Sequence, residues 1–168
     1  MKRFFSVLLL AAMLACMFTG CGWTVPRPEI KEAEFQFSVT YEFNDEVKTV
    51  SGVYVCEYDG TSWTLDGGSH RSWTGHIQDG IVEDTIEIGT TEDGGTVKLL
   101  LALYPDYFMD DIEESDQDAP KPYISVSLEN EEGLRIIHEP EDVEAYCGAK
   151  IISYEYDKPI ENSFSLFN

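Results

Sequence analysis

Basic residues are scarce in this chain: 11 Lys and Arg stand against 32 Asp and Glu, a formal net charge of −21 over 168 residues. A surface so acidic cannot neutralise phosphates, which excludes nucleic acid as a partner. Catalytic signatures are missing too. There is no G-x-S-x-G elbow, H-E-x-x-H, Gly-rich phosphate loop or C-x-x-C, so no reaction and no cofactor is read from motifs. The absence of heptads and of any fixed-period repeat excludes coiled coils and solenoids. Long apolar runs are absent except for one at the start of the chain. What is present is 43% apolar and 12% aromatic residues, enough to build a core despite the charge. The length suits one compact domain.

The first 21 residues carry an address. Lys2 and Arg3 precede an apolar run over residues 4–18, broken only by Ser6. Fifteen residues make a helix of roughly 22 Å, short of the roughly 30 Å hydrocarbon layer, so a secretory leader is the better reading than a membrane span. Phe18-Thr19-Gly20-Cys21 follows, then Gly22. Cys16 is a rival, but it lies inside the apolar run without a polar break after it.

This segment resembles a bacterial lipobox. The resemblance implies diacylglycerol on the Cys21 thiol and cleavage before it, leaving the chain anchored to a membrane by its lipid. Acyl chains contribute about 0.8 kcal/mol per buried CH₂, and two of them hold a protein stably. The expected organisation is a signal peptide over 1–20, a lipidated N-terminus and tether over 21–32, and one β-rich domain over 33–168. Pro26 and Pro28 favour extended backbone in the tether, and Trp23 suits the headgroup layer. Loss of Lys2 and Arg3 leaves 9 bases against 32 acids, or −23.

The body reads as strands. Phe35, Phe37, Val39, Tyr41 and Phe43 alternate with Gln36, Ser38, Thr40 and Glu42, a period of two with one buried face. Asn44-Asp45 supplies a turn into a return strand over 47–58, where Gly52 marks a bulge or a close packing point. Asp59-Gly60 reads as the next turn, before a short strand over 62–65. Further strands are expected over 72–77, 84–88, 96–104, 123–129, 134–138, 149–156 and 163–167. Apolar residues on both faces of 96–104 suggest a central, doubly covered strand. Residues 140–147 read as a two-turn helix, with Pro140 opening it and Gly148 closing it. The pattern specifies an all-β fold, an antiparallel meander forming a β-sandwich or small barrel with one or two short helices. Phe35-Gln36-Phe37-Ser38-Val39-Thr40-Tyr41 and Leu103-Tyr104-Pro105-Asp106-Tyr107-Phe108 are similar to the β-rich domains of small lipoproteins exported by Gram-positive bacteria. That resemblance carries no catalytic or binding residue with it.

Candidate chemistry gathers in two places. Trp63 and Trp73, with Asp66, His70 and Arg71, suit a stacking platform with a polar rim for sugars or small cations, unless both indoles are core. The acid-rich loop over 106–118 offers Asp110, Asp111, Glu113, Asp116 and Asp118 as weak metal candidates. It lacks calcium-loop spacing and the glycine such a loop needs, so no metal is expected. His70, His76 and His138 do not have zinc-site spacing. Cys56 and Cys147 can form a disulfide after export or stay as buried thiols, the latter preferred.

The expectation is an exported, membrane-anchored lipoprotein without catalytic activity, serving as a binding or envelope-associated module. Carbohydrate or small-solute capture at Trp63 and Trp73 is one alternative, and a cationic protein partner on the 106–118 loop another. Residues 72–120 hold 13 acids and one base, Lys98. Anionic headgroups repel such a stretch, so it is expected to point away from the membrane.

Overall fold

The computed structural model describes residues 25–63, 68–78, 84–112, 119–130 and 133–166. Cys21 and Asp66 lie outside them. Two four-stranded antiparallel sheets pack over one core, so the fold is an all-β sandwich rather than a barrel. The first sheet has the order β4-β3-β2-β9, from β2 (Glu32–Phe43), β3 (Glu46–Trp63), β4 (Ser69–Ile77) and β9 (Lys150–Tyr156). The second runs β5-β6-β7-β8, from β5 (Thr85–Thr90), β6 (Thr96–Leu100), β7 (Tyr123–Asn130) and β8 (Gly133–Ile137). A two-stranded ribbon joins β1 (Arg27–Pro28) to β10 (Phe164–Ser165). The helices are α1 (Pro105–Phe108) and α2 (Pro140–Cys147), the second closed by Gly148 in the left-handed region.

The alternation read in β2 is the spine of the core: Phe35, Phe37, Val39, Tyr41 and Phe43 are each 5% exposed or less. Burying side chains of this size contributes about 1.5–3 kcal/mol apiece. Asn44 and Asp45 have φ of 53° and 61°, the paired positive values of a type I′ hairpin turn. Gly52 lies opposite Phe37, and a Cβ there would sit 3.0 Å from the ring, so it is a packing point and not a bulge.

Four expectations shift. The chain does not turn at Asp59-Gly60. Strand β3 continues to Trp63, and the register steps between Tyr58 and Gly60, with φ +103° at Gly60. A bulge and a turn use the same Asp-Gly signal. The strand expected over 96–104 stops at Leu100, because Ala102 at φ +52° swings the chain off the sheet. Leu101 and Leu103 still face the core, and their carbonyls accept the hydroxyls of Tyr156 and Tyr54. The expected tether is part of the domain from Arg27 onward: Pro28 is fully buried, and the Glu29 amide donates to the Ser163 carbonyl at 2.8 Å. The last strand is only Phe164–Ser165, paired with that N-terminal segment.

Several contacts place the chain after Leu103. Tyr54 donates to the Leu103 carbonyl at 2.9 Å, and its ring occupies the space where a Cβ on Gly75 would lie. Phe108 then inserts against Phe35 and Tyr54, with centroids 4.8 and 5.7 Å away. Asn162 ties this segment to the N-terminus, donating to the carbonyls of Met109 at 3.3 Å and Ile30 at 3.1 Å. The loop carrying Asp106 and Asp111 is thus held on three sides. Cys56 and Cys147 are free thiols, Cys56 buried in the core. Burial pushes the Cys56 thiol up to about 12, which keeps it protonated and inert.

Candidate functional site

The two regions singled out in the sequence meet. Arg71, at an inward position of β4, forms a forked ion pair with Asp111 from the loop after α1. Nε donates to Oδ2 at 2.7 Å, and Nη2 to Oδ1. Trp73 Nε1 donates to the same Oδ2 at 2.6 Å. The Asp111 side chain is 8% exposed, so this carboxylate is enclosed and supplied with three donors. The other Arg71 terminal nitrogen reaches the Pro26 carbonyl at 3.3 Å, and the guanidinium carbon lies 4.0 Å from the Phe164 ring centroid. Arg71 therefore joins β4, the acidic loop, the N-terminal segment and β10.

Beside this pair opens a cleft of about 470 Å³ lined by Val25, Ser69, His70, Arg71, Asp106, Asp111 and Ile112. Its size is that of small-ligand sites. The Asp111 amide bonds the Asp106 carbonyl at 2.9 Å, which fixes the spacing of the two acids. Partial desolvation, then the nearby Asp111 charge, raises the Asp106 pKa above the usual carboxylate value, although its side chain stays open to solvent.

The tryptophans part company. Trp73 is 8% exposed and packs edge-on against Tyr58 at 5.3 Å, so it cannot present a face to a ligand. The two readings of the pair divide: Trp73 is core, held also by Asp111, so the platform of two exposed indoles does not form. Trp63 is 69% exposed. It stands directly opposite Ser69 in the β3–β4 register, where Thr61 also faces Arg71. Cross-strand partners share a sheet face at about 5 Å, so Trp63 lies on the sheet face that carries Ser69 and Arg71, next to the lining residue Ser69. His70 also lines the cleft, and its Nε2 and Ser62 Oγ are 2.9 Å apart.

Of the metal candidates, Asp110 is exposed at φ 55° and Asp111 is committed to Arg71. Glu113, Asp116 and Asp118 lie outside the described residues. Among the described residues, no three His, Cys, Asp or Glu side chains form a metal-holding group. Asp106, Val25 and Phe164 were not singled out from the sequence. Asp106 differs from its acidic neighbours only by its place at the first turn of α1, and nothing in the chain order brings residues 25, 71 and 164 together.

A larger cavity of about 690 Å³ lies elsewhere, lined by Phe43, Asn44, Thr91, Asp93, Tyr146 and others. Its carboxylate is already engaged: Asp93 accepts from Thr91 at 2.5 Å and from Tyr146, and these bonds lower its pKa. Its only aromatic exposed by more than a third is Tyr146, held by that bond. The smaller cleft has the more usable chemistry. No family model, no curated protein and no solved structure matches this chain.

Proposed function

We propose that the chain is an exported lipoprotein, anchored through Cys21, whose domain binds a carbohydrate in the cleft at Arg71 without turning it over. The observation that carries this reading is the exposed Trp63 indole paired across the strands with Ser69, which lines a polar cleft. Sugars offer an apolar C–H face to an aromatic ring and hydroxyls to charged and polar groups alongside it. Arg71 retains N–H groups not used by Asp111 or Pro26, and Asp106 and Ser69 line the same space.

Binding without turnover is supported by the state of the carboxylates. Glycoside cleavage takes two, roughly 5–9.5 Å apart, each free to act. Asp111 is bonded by Arg71 and Trp73 through both oxygens, which leaves Asp106 as the other carboxylate among the described residues lining the cleft. Anchoring is supported by the lipobox resemblance at Cys21.

The test has two arms. In a bacterial host fed labelled palmitate, the full chain takes up label and Cys21→Ala does not. Screened against neutral, acidic and basic oligosaccharides, the protein gives a saturable shift in tryptophan emission that Trp63→Ala weakens by about tenfold or more, a loss of about 1.4 kcal/mol. Equal labelling of Cys21→Ala removes the anchor, and no response to any sugar removes the carbohydrate.

A further inference from the structure

We infer that the cleft selects a sugar bearing a free amino group, with Asp106 receiving its ammonium. This rests on the carbohydrate reading above and adds the ligand's charge. Arg71 and Asp111 cancel each other. Their forked pair is closed by Trp73 below and Phe164 alongside, and neither group has a charge left for a ligand. Asp106 differs: among the described residues no Lys or Arg pairs with it, His70 is the one basic group of the lining that acts on it, and it lines the open space. Counting His70 as neutral, the cleft has one net negative charge, on one carboxylate.

That arithmetic ranks the ligand charges. An acidic sugar would meet Asp106 head on, inside a chain of formal charge −21. A calcium ion takes six to eight oxygens, and Asp111 could supply its own only by giving up Arg71. A neutral sugar can donate hydroxyls to the Asp106 carboxylate but leaves its charge uncompensated. An ammonium supplies a charge-assisted N–H and relieves the repulsion between Asp106 and Asp111, the second cause of the raised Asp106 pKa. The surrounding acidic field draws cations toward the cleft. Trp63, exposed and opposite the lining residue Ser69, takes the apolar face of the same ring.

The full chain in mild detergent is titrated calorimetrically at slightly acidic pH and low salt with two probes. One is the β-1,4 tetramer of glucosamine, the other the same tetramer fully N-acetylated, whose nitrogens carry no charge. The free-amine probe is expected to bind about tenfold tighter or better. Asp106→Asn erases that preference while keeping the weaker, shared affinity, and Trp63→Ala weakens both probes alike. Asp106 is exposed, so its amide variant keeps the fold, and an unchanged circular dichroism spectrum checks this. Equal binding of the two probes overturns the inference and leaves the carbohydrate reading standing. A preference that survives in Asp106→Asn also overturns it, since diffuse charge would then be the cause. Binding of neither probe overturns the inference, and with the emission screen also silent the carbohydrate reading falls too.

Discussion

Asp106 and Asp111 are five residues apart on one loop and have opposite circumstances. Asp111 is enclosed and takes N–H groups from two side chains, so its charge is supported. Asp106 is desolvated on one side, feels Asp111, and has its pKa raised. A raised carboxyl pKa means the folded chain holds this proton more tightly than the unfolded chain. The resulting stability is full below the ordinary carboxylate pKa and is lost as pH climbs through the raised value. Asp106→Asn, permanently neutral, should therefore melt higher than the parent at neutral pH. The gap should close by about pH 3, where the parent carboxyl is protonated in both states. Thermal melts across that range check it, and a gap independent of pH would refute the electrostatic cause. Neither acid could be told from the other in the sequence, where both are members of one acidic run. Burial and Arg71 separate them, and both come from elsewhere in the chain.

At the scale of elements, the hairpins were the legible part. A period of two needs only local order, so Phe35 to Phe43 announced their face before any partner strand was known. Turn chemistry was legible where it is unambiguous, as at Asn44-Asp45, and misled where one signal serves two geometries, as at Asp59-Gly60. The β2–β3 turn makes a quantitative point. Asp45 holds φ 61° with a side chain attached, and a non-glycine residue in that region costs roughly 1–2 kcal/mol of local energy. Glycine gives part of this back through its larger unfolded-state freedom. Asp45→Gly should stabilise by about 0.5–1 kcal/mol, seen as a higher urea midpoint with an unchanged slope. A lower midpoint would mean that the Asp45 side chain contributes more than its backbone costs. The strand that ended early teaches the complementary lesson. Residues 96–104 alternate as a strand should, yet Leu101 and Leu103 are buried by a segment outside the sheet whose carbonyls are taken by Tyr156 and Tyr54.

For the whole molecule, the excess of acids makes charge repulsion a cost of the compact state. Thirty-two acids against 11 bases repel one another most at low ionic strength. The Debye length falls from roughly 30 Å at 0.01 M salt to roughly 8 Å at 0.15 M, so the melting temperature should rise over that interval. A fall would show that ion pairs such as Arg71–Asp111 outweigh the repulsion. The same acidity led to an orientation in which residues 72–120 avoid the membrane. Asp106 and Asp111 of that stretch share a cleft with Val25, and Val25 is four positions on from Cys21, a reach of at most about 14 Å. With the anchor proposed above, the cleft lies near the point of attachment and opens close to the surface the protein sits on.

Composition and period determined the acidity, the all-β class, the leader-like start and the core face of β2, because each depends on residue type or on neighbours along the chain. Tertiary structure alone decided that Trp73 is buried and Trp63 exposed, that Asp111 is locked while Asp106 is open, and that Val25 and Phe164 flank Arg71. Those outcomes depend on which distant segments meet. Arg71 reaches across 45 residues to Pro26 and 40 to Asp111, and no local pattern records a partner at such a distance.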